Sequence, residues 1–271
     1  MGRVHLDGAL ALVTGAGSGI GQQTALSLAG RGARVLSVGR DVEAVQRTAA
    51  RCREAGPDAA SYRLDVTDRP GMEALAVQVA AEHGGVDILV NNAGVGMSGS
   101  FVDVTADDWE WIRSVNLDGV INGCAVFAPG MLARGHGHIV NLASGLAYLY
   151  PSTEPAYVAT KAAVLALSRS LRADFAQHGV GVTAICPSIT NTPIVDHTRY
   201  LGRRGAQGVR DRSKRLFDRG HPPEKVATAI VRAIERDRSV VPVGVEARLG
   251  WWLHRYLPLR AQQAIATLPL T

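Results

Sequence analysis

A tyrosine and a lysine four residues apart, Tyr157 and Lys161, with Ser144 thirteen residues upstream, form the grouping best suited to chemistry. At that spacing on a helix the phenol and the ammonium lie one above the other. An isolated phenol titrates near ~10 and is a poor proton shuttle at neutral pH. A fixed cation beside it favours the phenolate and lowers that value, toward the range where general acid–base catalysis operates. A serine hydroxyl alongside could hold and polarise a substrate oxygen. The same spacing arises by chance on many helices, so the elements that position these residues decide its meaning.

The run Ala9-Leu10-Ala11-Leu12-Val13 reads as a short buried strand, bounded by Thr14 and a glycine-rich turn. Gly15, Gly17, Gly19 and Gly21 punctuate that turn, and a helical pattern through Ile20, Ala25 and Leu28 follows. Strand, glycine turn and helix is the arrangement in which backbone N–H groups and a helix N-terminus receive a pyrophosphate. The glycines do not fit G-x-G-x-x-G in any frame; they fall as Thr14-Gly15-x-x-x-Gly19-x-Gly21. Further strands are expected at Ala33–Val38, Ser61–Leu64, Asp87–Asn91, His138–Leu142 and Val180–Ile185. Helical patterns fill Val42–Ala55, Pro70–Glu82, Ala106–Ala133 and Pro155–Gln177, the third opening on a capping-box-like Thr105-x-x-Asp108. Alternation of this kind predicts an α/β fold, a doubly wound parallel sheet with helices on both faces.

Six motifs occur in order: Thr14-Gly15-x-x-x-Gly19-x-Gly21, Asn91-Asn92-Ala93-Gly94, Asn116, Ser144, Tyr157-x-x-x-Lys161 and Pro187-x-x-x-x-Thr192. Together they resemble the compact branch of the short-chain dehydrogenase/reductase family, from about Gly8 to Val243. The resemblance implies one Rossmann-like domain over residues 1–245, including a substrate lid at 194–221, followed by a tail at 246–271. It also implies a nicotinamide dinucleotide and hydride transfer between that cofactor and an alcohol or carbonyl. On matched positions, Tyr157 is the general acid/base, Ser144 orients the substrate oxygen, and Lys161 binds the nicotinamide ribose and depresses the Tyr157 pKa. Asn116 is similar to the family residue that bends a helix and holds a relay water. Gly15, Ser18, Gly19, Ile20, Gly21, Asn92, Ala93 and Gly94 would line the cofactor cleft, with Asp65 and Val66 at the adenine. Pro187, Ile189 and Thr192 would border the nicotinamide. Relatives commonly pair two helices between subunits, so a homodimer or homotetramer is implied. A catalytically silent dinucleotide-binding regulator and a lyase or epimerase are the alternatives to an alcohol/carbonyl oxidoreductase.

Cofactor preference is argued at the end of the second strand, Val38-Gly39-Arg40-Asp41. A carboxylate there suits the ribose hydroxyls of NAD, whereas Arg or Lys suits the 2′-phosphate of NADP. Gly39 stands where relatives that prefer NAD carry an acid, and Arg40 can fork to a phosphate. Asp41 is read as the cap of the next helix. NADP(H) is therefore the preferred expectation and NAD(H) the alternative. The family's Pro-Gly becomes Pro187-Ser188 here, which implies either a strained serine or a narrower site.

Composition agrees with one large soluble-type domain: 271 residues, 46% hydrophobic and 20% charged. No run of 18 or more apolar residues and no signal-peptide h-region are evident, so no membrane span is expected. Three scattered cysteines, Cys52, Cys124 and Cys186, suggest reduced thiols in a cytoplasmic protein and no metal site. Between Ile194 and His221, eight basic residues against three acidic ones leave +5, the net charge of the whole chain. Such a segment could attract an anionic substrate or form a solvated lid. Lacking interleaved aromatics, it is not read as a nucleic-acid site. Val95, Met97, Tyr148, Leu149, Tyr150 and Ile194 are expected to line an apolar pocket for a fairly hydrophobic small molecule. Glu154, three residues before Tyr157, could recognise a polar substrate group, although a helix N-terminal acid is the favoured reading. The tail, with Trp251 and Trp252 among basic residues, is expected to cover the pocket or pack on a subunit. A peripheral membrane contact is the less favoured reading.

Overall fold

The computed structural model describes residues 4–266. Its strands are β1 (Leu10–Thr14), β2 (Arg34–Gly39), β3 (Ala59–Arg63), β4 (Ile88–Asn91), β5 (Met97–Ser98), β6 (Gly137–Leu142), β7 (Val180–Pro187), β8 (Arg199–Tyr200) and β9 (Val240–Val243). The helices are α1 (Gly19–Ala29), α2 (Val42–Ala55), α3 (Arg69–His83), α4 (Ala106–Arg113), α5 (Gly119–Arg134), α6 (Pro155–Phe175), α7 (Gln207–Asp218), α8 (Pro223–Glu235), α9 (Val245–Tyr256) and α10 (Leu259–Ala266). Seven strands pair in parallel in the order β3-β2-β1-β4-β6-β7-β9, while β5 and β8 form a separate two-stranded ladder.

The doubly wound sheet follows from strands that are apolar on both faces. Leu10 and Leu12 of β1 enter a cluster with Met72 and Leu75 of α3, Phe127 of α5 and Val164 of α6. Ala11 and Val13 enter the opposite cluster with Leu28 of α1, Cys52 of α2 and Ile230 of α8. Truncating a fully buried leucine such as Leu12 to alanine would cost about 2–5 kcal/mol. The strand order reverses between β1 and β4, the switch point at which open α/β sheets leave a crevice at their carboxyl ends.

The expected single helix over 106–133 is interrupted. The Thr105 capping box starts α4 as read from the sequence, but Ser114–Asp118 forms a π-helical turn before α5 continues. The cause lies in Asn116, whose side chain is held by the backbone of Val95 instead of facing solvent. A π-turn widens a helix by one residue, frequently at functional sites. The span 106–134 is also long and apolar enough to cross a membrane by length and composition, a match the search for an unbroken apolar run missed. More than half of its apolar window is buried within the protein, so core packing accounts for it.

Two other regions depart from expectation. Val240–Val243 is an edge strand despite Pro242, which the edge tolerates. The lid is ordered into β8 and the polar helix α7. Pro258 separates α9 from α10, as a proline that cannot continue a helix does; the final tail residues 267–271 lie outside the described residues.

Candidate active site

The carboxyl ends of β1, β4, β6 and β7 converge on one cleft. Thr14 ends β1, and its hydroxyl accepts from the backbone N–H groups of Asn92 and Ala93 at 3.0 and 3.2 Å. Asn92 returns its amide to the carbonyls of Thr14 and Gly15 at 2.9 and 3.2 Å. Asn92 thus braces the glycine turn, a more structural task than lining the cleft. Gly15 and Gly19 take φ of +64° and +52°, the left-handed region that favours glycine. A Cβ on Gly21 would collide with the Gly15 carbonyl oxygen, so α1 can approach the turn only because glycine is there. Ser18 is the N-cap of α1 and makes no side-chain cap bond; Ile20 sits in the first turn, half-buried.

Ser144 follows β6 and accepts from the Leu146 N–H at 3.1 Å. Its hydroxyl is near enough to the Tyr157 phenol to pull the phenol's pKa down. Tyr157 sits half-buried in the first turn of α6, packed on the cluster of Val95, Met97, Ile112 and Ala156. Lys161 donates to the Leu142 carbonyl at 2.8 Å, and its Nζ is 5.9 Å from the Tyr157 ring centre. Asn116 accepts from Val95 N–H at 2.8 Å, donates to Val95 C=O at 3.0 Å and reaches Thr160 Oγ1 at 3.4 Å. Asn116, Ser144, Tyr157 and Lys161 therefore share one wall of the cleft. Gly94 lies between them: a Cβ there would come within 3.2 Å of Asn116 Oδ1 and 3.3 Å of Lys161 Nζ.

Burial dominates the electrostatics of this wall. Burial pushes the Tyr157 phenol up to about 12; the Ser144 contact opposes this and the Glu154 carboxylate adds to it. Burial likewise brings Lys161 down to about 8, with Cys186 acting in the other direction. In the protein alone desolvation of the phenol sets the direction of its shift. Burial also raises the Glu154 carboxyl to about 6, against the pull of Arg204. Glu154 is therefore a half-buried group near the phenol, a placement that suits substrate recognition as well as a helix-terminal acid.

At the far end of the cleft, Arg40 follows β2 and pairs with Asp65 at 3.7 Å. Asp65 also accepts from the Thr67 N–H and hydroxyl at 3.0 and 2.9 Å. Val66 is buried, and its carbonyl accepts from Asn122 at 2.9 Å, a brace no sequence signal announced. Asp41 caps α2 through the Ala44 N–H, as read. Past Pro187, the Thr192 methyl would meet a Cβ on Gly19 at 3.0 Å, so the segment after β7 touches the glycine turn; Ile189 is exposed. Ser188 is absent from the positive-φ residues, which removes the strain reading. Its hydroxyl faces Gly244 and the Glu246 carboxylate, so it does not narrow the cleft either.

Val95 and Met97 are buried beneath Tyr157, Ile194 is half-buried in the turn after Thr192, and Tyr150 lies exposed at the rim. Tyr150 has φ of +53°, an uncommon and costly conformation for a bulky residue. Tyr148 and Leu149 do not line the pocket as expected. The Tyr148 hydroxyl donates to the Ala247 carbonyl at 2.8 Å, its ring meets Trp251 at 5.2 Å, and Leu149 fills the space over Gly250. Three of the lid's eight basic residues are committed. Arg199 bonds Asp108 at 2.8 Å and stacks 3.8 Å over Trp111, Arg204 donates to Ser98 at 3.0 Å, and Lys214 pairs with Asp196 at 3.6 Å. These contacts pin the lid across β5, so its basic residues are only partly free to draw in an anion.

With this geometry, comparison with known proteins is informative. A family model described as short chain dehydrogenase matches residues 9–200. The chain is 41% identical over 262 residues to Probable oxidoreductase EphD of Mycobacterium tuberculosis H37Rv, covering 94% of this chain and 44% of that protein. It thus spans less than half the length of that curated relative. Over 232 residues it is 37% identical to D-threitol dehydrogenase of Mycolicibacterium smegmatis, covering 84% of this chain and 86% of that one. Among solved structures, a short chain dehydrogenase/reductase from Burkholderia phymatum in complex with NAD superposes with a TM-score of 0.86. It is 32% identical and 99% of each chain is covered.

Proposed function

Because the chain belongs to the short-chain dehydrogenase/reductase family, we propose that it interconverts a ketone or aldehyde and the corresponding alcohol with NADP(H). The observation that carries this reading is the placement of Tyr157 beside Ser144 in the cleft at the carboxyl ends of the parallel strands. The residues present fit a dinucleotide: two positive-φ glycines and the α1 N-terminus offer backbone donors to phosphate, and Gly94 keeps side-chain volume out beside Lys161. When bound, the cofactor supplies the hydride and, oxidised, a positive charge beside the phenol.

In reduction, Tyr157 gives its proton to the carbonyl oxygen while Ser144 hydrogen-bonds the same oxygen; in oxidation Tyr157 accepts the proton. Lys161, anchored on the Leu142 carbonyl, directs its remaining N–H donors into the cleft toward ribose hydroxyls. Asn116 holds the π-turn against Val95 and so fixes the wall behind Tyr157. Arg40 is the candidate for the 2′-phosphate. Its exposed pair with Asp65 is worth about 0–1 kcal/mol, little enough for a phosphate to displace. NADP(H) preference rests on that residue, with NAD(H) as the competing cofactor.

The buried walls at Val95 and Met97 support a fairly hydrophobic substrate. A second reading, a substrate carrying a hydroxyl beside the reacting carbon, is favoured by the half-buried Glu154 carboxylate near Tyr157; the polyol relative fits it. Assembly as a homodimer is supported by the apolar groove of Ile121, Ala125, Leu132, Leu167 and Leu171 along α5 and α6. The test is a panel of aliphatic ketones, alcohols and vicinal diols, each assayed with NADPH, NADH and their oxidised forms. Turnover with NADPH and at least one carbonyl is expected; no cofactor consumption with any pair would remove the oxidoreductase reading.

A further inference from the structure

One side of α9 is apolar and faces outward. Val245, Leu249, Trp252 and Tyr256 recur at i, i+4, i+7 and i+11 and so share one helix face. With Leu259 beyond the Pro258 turn, these residues are between 56% and 69% exposed. The opposite side cannot be exchanged for it. Ala247 accepts from Tyr148, Trp251 and His254 pack against Tyr148, and Gly250 lets Leu149 approach within 2.7 Å of its missing Cβ. The helix is therefore fastened by its inner face and holds its outer stripe toward solvent. Contiguous exposed stripes of this kind mark interaction surfaces.

The charges around the stripe say what it meets. Arg248 and Arg255 are exposed on α9, and Arg260 follows on α10. From residue 245 to the end of the sequence the sole acid is Glu246, and it is turned to His221 at 3.0 Å. We propose that this face docks on an anionic lipid surface. Tryptophan and tyrosine belong at the boundary between headgroups and acyl chains, Val245 and Leu249 enter the apolar layer, and the arginines meet the lipid phosphates. A second copy of the chain fits less well. A two-fold contact sets the stripe against itself and gathers the arginines of both helices with only Glu246 of each, held to His221, to offset them. Docking would also place the Tyr150 rim close to the bilayer, since His254 of the same helix contacts that ring at 5.9 Å. A lipophilic carbonyl compound dissolved in the membrane would then enter the cleft from that side.

The experiment is sedimentation of the full chain with phosphatidylglycerol vesicles and with phosphatidylcholine vesicles, at low and raised salt. Binding to phosphatidylglycerol, weakened by salt, is expected. Arg248→Gln and Arg255→Gln should each weaken it about fivefold, and Leu249→Glu or Trp252→Glu should abolish it. Turnover of a water-soluble carbonyl should persist in all four variants, which shows that they fold. Failure of the unchanged chain to bind phosphatidylglycerol, or equal binding to both lipids, would overturn the proposal. So would a Trp252→Glu variant that dissociates a dimer in light scattering while vesicle binding is unaltered, since the face would then belong to a second copy.

Discussion

The Lys161 ammonium is bonded to the Leu142 carbonyl at 2.8 Å, at the end of β6, and stands 5.9 Å from the centre of the Tyr157 ring. The lysine is thus fastened to the sheet, while the phenol rests on the cluster of Val95, Met97, Ile112 and Ala156. The two residues should fail differently. Tyr157→Phe should lower kcat by about 10²–10⁴-fold with cofactor binding intact, read by quenching of protein fluorescence. Lys161→Ala should raise the cofactor KM as well as lower kcat. Full activity in Tyr157→Phe would take the phenol out of its proposed role.

The rate of alcohol oxidation should climb with pH. Burial holds the phenol at about 12 in the protein alone, so the phenolate that accepts the alcohol proton is scarce at neutral pH and grows as pH rises. Carbonyl reduction uses the protonated phenol, which dominates throughout, and should not rise with pH; it should fall above about pH 8, where Lys161 loses its charge. Initial rates in both directions from about pH 7 to about 10 provide the check. A level profile for oxidation by the unaltered enzyme would mean another group carries the proton.

Arg40→Ala should raise the KM for NADPH about tenfold or more and leave that for NADH nearly unchanged, as expected for a charge-assisted bond to phosphate. Asp65→Asn, which releases Arg40 from its 3.7 Å pair, should move the NADPH value the other way. Steady-state kinetics with both cofactors measure this, and equal shifts for the two would contradict the assignment.

Gly94→Ala places a methyl 3.2 Å from Asn116 Oδ1 and 3.3 Å from Lys161 Nζ. Each neighbour must yield by a few tenths of an ångström. A small displacement of groups that orient reactants carries a large kinetic penalty, and about a tenfold loss of kcat is expected. The urea midpoint should change little. Unchanged kcat would show that this wall tolerates movement.

His138 predicts acid sensitivity. Burial brings its pKa from 6.5 down to about 4, with Asp237 opposing and Arg172 assisting. The unfolded chain takes up the proton first, so stability is full above about pH 6.5 and is lost as pH falls toward about 4. The loss is on the order of 3 kcal/mol. Urea midpoints measured across that window should fall, and His138→Asn should flatten the slope.

The parts of the protein that were legible in the sequence are those where one residue type is forced by backbone geometry or apolar alternation. The β1–glycine turn–α1 unit, the Asp41 and Thr105 caps and the order of the site motifs are of this kind. A bend at Asn116 was implied by the family resemblance, but the π-turn at Ser114–Asp118 was not readable from periodicity, because a single extra residue hardly disturbs it and Asn116 is held by a distant partner, Val95. β9 was hidden by Pro242, which argues against a strand unless the strand is known to be an edge. Lid helix α7 lacks the apolar repeat that identifies a helix, with Ser213 its sole buried residue. The phenol's raised pKa was invisible for a different reason: burial is a property of the whole packed cleft, whereas the i, i+4 spacing reports only the neighbouring cation.

The bond from Tyr148 to the Ala247 carbonyl couples two stretches of chain that are usually treated as separable. One end lies four residues after Ser144 and the other within the last helices. Any exchange of this terminal segment for that of another dehydrogenase would therefore have to carry the 145–150 loop with it. Grafted alone, a foreign terminus would leave the Tyr148 hydroxyl without its acceptor and let the serine drift.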